Sequence, residues 1–431
     1  MINVLYYFLL LIYATSITYP IPGVIIFSIT LIFFVLLYTV SKNKSRNTPT
    51  SLIQLMCYSI PLSWRNIFGG EYGDLPVSWF YLIGVLLAVH LILIKNEIKL
   101  KPSLAKLSVI IGMILIFSII PLLITNTSFI KQGVSQFIIL CFHHVVILIA
   151  ILKGNIISKD NILRIEKSYV AVGLVTSLGI ITQFILFQLG FTIGTIRYFY
   201  NRQMFHFLFS DVSHATLYLA TTSLLSIQLL SSDKKINKFK YTVIPIITLI
   251  GAAITSARTG LIVFFVVYIT YILFGQNGIV KKVISLVAGA IALFGAIAFS
   301  QVVRPQSSIY NALFDSSGRT AGYDVAIGMF LEKPFFGYGF SRDYIAGLMN
   351  AAIPHFSFLQ YLIHAGVFYT VMIFGVIVFA YFYAKKYKMN ESWIILLTVI
   401  GTCLVPDIFS TRYITLIILI VFLKNKKPEA A

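Results

Sequence analysis

Long apolar runs, each broken by a short polar or charged stretch, recur along the whole 431-residue chain. A helix needs roughly 17–25 apolar residues to cross a hydrocarbon core of about 30 Å. Hydropathy read at that scale predicts about fourteen membrane segments. They fall near 2–18, 20–40, 51–63, 76–94, 107–125, 133–152, 168–190, 214–231, 241–256, 259–275, 283–300, 355–384, 392–408 and 411–423. The runs at 51–63 and 411–423 are the shortest, and either could be re-entrant. The pattern predicts an all-α polytopic membrane protein, 1–431, built as a single integral membrane domain. It carries an outer loop at 191–213 and a larger one at 301–354. Inside the larger loop, apolar residues return at helical spacing from Gly318 to Lys333, after the N-cap candidates Ser316 and Ser317. Pro334 ends that amphipathic helix, Gly337-Tyr338-Gly339 makes a turn, and Pro354 with His355 opens the next run.

Composition supports the membrane reading. Hydrophobic residues make up 58% and charged residues 11% of the chain, against about 25% charged in soluble domains. The net charge of +19 points to anionic lipid head groups rather than nucleic acid, because the basic residues sit between apolar runs. The first run lacks a basic stretch before it and reads as a membrane helix, not a cleaved leader. Cys57, Cys141 and Cys403 all lie in apolar runs, which predicts buried thiols and no disulfide framework. Nucleotide-binding and zinc-protease motifs are absent, so no cofactor and no metal is expected.

The charges sort by type. Nearly all the lysines lie on one side of the predicted bundle, in loops around Lys42, Lys95, Lys153, Lys234, Lys281, Lys385 and Lys424. The positive-inside rule makes that side cytoplasmic and places both termini there. The opposite side carries arginines: Arg65, Arg197, Arg202, Arg258, Arg304, Arg319, Arg342 and Arg412. Guanidinium is a planar fork that grips phosphate in bidentate fashion, whereas ammonium is a point charge. The arginine side therefore looks built to hold an anion such as a phosphate or diphosphate.

Two arginines and one histidine stand out. Arg258 occupies the tip of the 241–256/259–275 hairpin, and its small neighbours Ala252, Ala253, Ser256 and Gly260 allow close helix approach. It reads either as a snorkelling interfacial residue or as an enclosed cation needing an anionic partner. Arg319 reads either as a partner of Asp315 or as a second clamp on the same anion. His355 stands where the longest loop re-enters the membrane, a position from which an imidazole can act as general base. His206 and His214 belong to the same side and could line the same cavity. His143 and His144 are adjacent and read as packed helix residues, and His90 lies near the cytoplasmic end of its run.

The order of these motifs resembles one family. Ser256-Ala-Arg258-Thr-Gly260 is followed by Gly318-Arg319, then Glu332-Lys-Pro334-Phe-Phe-Gly337-Tyr-Gly339, then His355-Phe-Ser-Phe-Leu359 with Ala365-Gly366. This is similar to the O-antigen polymerase/O-antigen ligase superfamily over roughly 245–385. One departure is Phe356, where the family often has asparagine after the histidine. The resemblance implies a metal-independent, GT-C-type membrane glycosyltransferase in the bacterial inner membrane, with its active site on the periplasmic side. The donor would be a glycan on undecaprenyl diphosphate. Arg258 and Arg319 would neutralise the leaving diphosphate, and His355 would deprotonate the acceptor hydroxyl for an inverting attack. Arg197, Arg202, Arg304 and Arg342, with His206, His214 and Tyr338, would hold lipid phosphate or glycan. A polymerase is the first expectation, with membrane lipids and a chain-length regulator as partners and no nucleic acid. A ligase using lipopolysaccharide core as acceptor is the nearest alternative. A flippase for the same lipid-linked oligosaccharide is the alternative of a different class, although its two similar halves are not visible in the sequence.

Overall fold

The computed structural model describes residues 1–431 except 71–75, 96–100, 200–201, 233–236, 256, 258, 276–277, 280–281, 288, 292–294, 296–318, 351–352, 404–406 and 425–431. For 199, 202, 232, 259, 275, 319–321 and 410 only the backbone is described. The helices are α1 Ile2–Thr18, α2 Gly23–Ser45, α3 Thr48–Ser59, α4 Trp79–Leu93, α5 Pro102–Phe117, α6 Ile119–Ile124, α7 Ile130–Lys153 and α8 Lys159–Gln188. They continue as α9 Val212–Ser232, α10 Lys238–Ile254, α11 Thr259–Gly275, α12 Arg319–Glu332, α13 Arg342–Met349, α14 Ser357–Lys386, α15 Glu391–Gly401 and α16 Tyr413–Leu423. Five helical stretches, Gly23–Ser45, Pro102–Ile124, Thr127–Lys153, Lys159–Gln188 and Ser357–Lys386, are long and apolar enough to cross a membrane. Shorter apolar helices accompany them, as in a multi-pass membrane protein. Half of the expected run at 283–300, and the caps Ser316 and Ser317, lie outside the described residues.

Local chemistry sets the helix starts. Asn47 caps α3 by accepting from Thr50 N at 2.9 Å, with Pro49 in the first turn, and Ser158 caps α8. Pro245 inside α10 has no N–H to give the Tyr241 carbonyl. The Ser226 hydroxyl of α9 donates to that oxygen instead, at 3.1 Å, a substitution that an apolar medium makes necessary. Small residues let α8, α9, α10 and α11 meet at backbone distance: a Cβ on Gly260 would strike Thr216 of α9, and one on Gly251 would strike Ser177 of α8.

The centre of the bundle is α16, all eleven of whose residues are buried, among α3, α7, α14 and α15. Being apolar on every side, it has no face to offer water. Eleven residues rise only about 17 Å, near half of the hydrocarbon thickness. Its lower end is fixed beside Lys424, where the Leu423 carbonyl accepts from Ile156 N and Ile157 N at 3.0 Å each. Arg412, at the other end, is 3% exposed and so enclosed by protein.

Two further features depart from expectation. The loop at 191–213 contains a two-stranded antiparallel hairpin, β1 Thr195–Phe199 and β2 Arg202–Phe207, so the fold is mostly helical but not all-α. Ile196, Tyr198, Phe205 and Phe207 give the segment its strand preference. α14 is also interrupted: Gly366 has φ 76° and ψ 179°, so the apparent single span is two helices meeting at a break. Among the cysteines, Cys57 is buried, but Cys403 is exposed, because α15 ends at Gly401 and leaves it in a loop.

Candidate functional site

The arginine-bearing end is built from four loops. Gln183 of α8 holds the hairpin in place: its amide nitrogen donates to the Ile193 and Thr195 carbonyls at 2.7 and 3.2 Å, and its carbonyl oxygen accepts from Phe207 N at 3.0 Å. The buried Arg65 adds two more ties, donating from Nη2 to Thr195 Oγ1 at 2.6 Å and from Nε to the Leu208 carbonyl at 3.3 Å. These contacts fix the turn 208–211, which delivers Asp211 to the first turn of α9. Asp211 Oδ1 accepts from Ser213 N at 2.6 Å.

The second loop is the motif around Pro334. Tyr338 N and Gly339 N donate to the Ile363 and His364 carbonyls, at 2.8 and 3.0 Å, and Val367 N donates to the Pro334 carbonyl at 2.8 Å. His364 Nδ1 returns a bond to the Gly339 carbonyl at 2.8 Å. Gly337 and Gly339 have φ of 68° and 94°, and a Cβ on either would strike neighbouring backbone. The turn is thus clamped into the break of α14. On its far side Phe340 N donates to Thr125 Oγ1 at 2.9 Å, and Gln132 Oε1 accepts from Ser341 Oγ and Asp343 N. The Tyr338 hydroxyl is committed to Glu332, at 2.6 Å, and its ring to the Lys333 ammonium, 4.4 Å from the centroid. Burial, then that carboxylate, push its phenol up to about 12.

The third loop presents His355, half-buried, two residues before α14 begins. Gln360 Nε2 donates to the Pro354 carbonyl at 2.8 Å, and the Tyr323 hydroxyl reaches the His355 carbonyl at 3.5 Å. The fourth loop, 407–412, lies between α15 and α16. Asp407 accepts from the Tyr361 hydroxyl at 2.7 Å, from Phe409 N at 3.0 Å and from Gln136 Nε2 at 3.5 Å. The Arg412 guanidinium donates to the Phe409 carbonyl at 3.0 Å and lies over the rings of Trp64 and Tyr81, 5.7 and 5.3 Å from their centroids. His214 stacks on the same Trp64, 6.2 Å between centroids.

Electrostatics join these pieces. Burial alone would raise the Asp211 carboxyl, yet the imidazoles of His214 and His355 and the Ser213 hydrogen bonds hold it down at about 2. Asp211 is therefore an anion within electrostatic reach of both histidines. Arg342 and Arg412 lie within electrostatic reach of His214, and Arg65 and Arg197 within reach of His206. His206 is held neutral: burial first, opposed by Asp211 and reinforced by the two arginines, lowers it from 6.5 to about 4.

That shift has a pH signature. Between pH 6.5 and 4 the unfolded chain takes up a proton at His206 that the folded protein refuses, so stability is complete above 6.5 and falls as pH drops toward 4. The expected loss is about 3 kcal/mol across the window. Thermal melting of the protein in detergent should show it, and His206→Gln should flatten the slope. An unchanged slope in that variant would remove His206 as its source. Asp211 acts in a separate window, below pH 4.

Of the residues singled out in the sequence, His355, His214 and Arg342 converge here, with His206 at the margin. Arg197 is exposed on the hairpin. Arg202 and Arg319 are described by backbone alone, and Arg258 and Arg304 lie outside the described residues. What is described beside Arg258 is anchored at the site: Thr255 Oγ1 is 2.6 Å from Thr216 Oγ1, one turn of α9 below Val212. Sequence reasoning passed over Asp211, Asp407 and His364 as site residues, and counted Arg65 and Arg412 among the anion-holding arginines without giving either a role of its own. A carboxylate or cation inside an otherwise apolar run was the available signal for Asp407 and Arg412.

Residues 243–374 match the family model described as O-Antigen ligase, which supports the O-antigen ligase/polymerase superfamily. No curated protein and no solved structure matches the chain.

Proposed function

With residues 243–374 assigned to the O-antigen ligase family, we propose that the chain is a polymerase of surface polysaccharide repeat units, acting on glycans carried by undecaprenyl diphosphate. The observation that carries the reading is that His355, inside the family-matched segment, lies within electrostatic reach of the anionic Asp211. His355 takes the proton of the acceptor's terminal hydroxyl. The freed oxygen attacks the anomeric carbon from the face opposite the diphosphate. The glycosidic phosphate bond breaks with its electron pair on the diphosphate, and configuration inverts. Asp211 balances the imidazolium that forms. Arg258 and Arg319 offset the charge developing on the leaving diphosphate. In this reading the lysine-bearing loops and both termini face the cytoplasm, the site faces the periplasm of a bacterial inner membrane, and a chain-length regulator is a partner.

The description of the matched family favours a second reading, a ligase whose acceptor is lipopolysaccharide core. Purified protein given a defined lipid-linked repeat unit separates the two. Chain extension without core supports the polymerase. Transfer that occurs only when core is added assigns the ligase, and movement of the glycolipid across liposomes without bond formation sinks both.

A further inference from the structure

The sequence grouped Arg197 with Arg202, Arg304 and Arg342 as residues that would hold lipid phosphate or glycan. The structure gives it a place of its own. A groove of about 690 Å³ runs between β1 and the ends of α1 and α8. Ile17, Phe187 and Ile196 supply its apolar lining, and Thr18, Thr192, Thr195, Arg197 and Tyr198 its polar groups; Thr195 Oγ1 is committed to Arg65, and Thr18 and Thr192 are the other two threonines. Arg197 is exposed, and no ion pair to it is found among the described residues. An open cation beside an apolar lining matches an amphiphile with an anionic head. The rim supports a membrane setting. Leu189, Phe191 and Tyr198 beside the groove are 66%, 59% and 66% exposed, the apolar and aromatic surface expected at the boundary of a bilayer. Neither His355 nor Asp211 lines this groove, yet Arg197 and Asp211 both act electrostatically on His206 of the same hairpin.

We propose that this groove binds a phosphate-headed lipid separately from the catalytic centre: Arg197 and the two threonines take the phosphate, and Ile17, Phe187 and Ile196 take the first carbons of the chain. Resting on the polymerase reading, the lipid is that of the acceptor. Joining two lipid-linked units requires two such lipids to be held at once, with the hairpin between them. Gln183 and Arg65 fix the hairpin and so set the distance between the two positions.

The test has a binding arm and a kinetic arm. Full-length protein in phosphatidylcholine nanodiscs is labelled with a photoreactive polyprenyl diphosphate. The expected result is labelling of peptides that contain Ile17 and Phe187, reduced about tenfold by Arg197→Gln and retained in His355→Ala. Labelling unaffected by Arg197→Gln overturns the site. Displacement by inorganic diphosphate as effectively as by the lipid reassigns it to a free anion and also overturns the proposal. In the kinetic arm, Arg197→Gln raises the KM for the acceptor about tenfold, with kcat within about twofold. A rise in donor KM instead refutes the acceptor assignment. If the wild-type protein transfers no glycan, the polymerase reading fails, while the labelling still decides whether the groove takes a lipid phosphate.

Discussion

His355→Ala and Arg258→Ala each abolish chain extension in membranes that contain normal amounts of the protein. Removing a general base costs on the order of 10²–10⁴ in rate, and removing a cation that faces a leaving diphosphate costs a comparable factor. Asp211→Asn is the more discriminating change. It keeps the shape of the loop and its acceptor oxygen toward Ser213, but it removes the negative charge within electrostatic reach of His355. The imidazolium is then less favoured, so the acid limb of the rate profile moves to lower pH as the maximal rate falls. Polymer length on gels and initial rates from pH 5 to 8 report both effects. Wild-type polymer from His355→Ala would remove it as the base, and a fall in rate without movement of the acid limb would reduce Asp211 to a packing role.

Gly366→Ala should cost on the order of 3–5 kcal/mol, because it combines two of the mechanisms that produce large losses. The backbone there, φ 76° and ψ 179°, belongs to a region reserved for glycine. A Cβ would also fall onto the Phe335 carbonyl, with no side chain in between to move aside. The clamp from Pro334 to Gly339 would open, and with it the seat of Arg342 and the approach to His355. Little folded protein is expected, seen as loss of a monodisperse peak in detergent. Gly375→Ala is the matched control: it lies in the same helix, nothing is within 4 Å of its added Cβ, and it should be neutral or slightly stabilising. Equal melting of the two variants would show that the break is dispensable.

The sequence was most legible where side-chain polarity alone decides. The 259–275 return matches Thr259–Gly275, and the helix expected from Gly318 to Lys333 ends at Glu332, just before Pro334, because a missing N–H stops a helix wherever it occurs; its exposed side carries Val325, Ile327 and Leu331, so it is not the amphipathic helix expected. Hydropathy is blind to backbone. It read 355–384 as one span, although Gly366 breaks it, and 392–408 as another, although α15 stops at Gly401. An apolar loop enclosed by protein costs a membrane no more than an apolar helix does. The hairpin carried a signal, with Arg197 between Ile196 and Tyr198, but five-residue strands are easily lost among runs several times longer. The polar pieces of the site were illegible for another reason. Gln136, Tyr361 and Asp407 meet through three separate elements, and no spacing within the chain announces such a meeting. Family motifs pointed to His355 yet gave no hint of Asp211, which lies outside the matched segment.

The eleven-residue helix at the middle of the bundle also dictates an order of assembly. The helices packed against it, α3, α7, α14 and α15, and α8 and α9 through Tyr169 and Tyr218, all leave the ribosome before it does. During translation those neighbours must wait around a vacancy that only Tyr413–Leu423 can fill. At about 17 Å the segment is too short to span lipid by itself, so its stable place depends on a space already framed by protein. Maturation therefore closes from the inside at a late moment, and Arg412 meets Trp64 and Tyr81 only then.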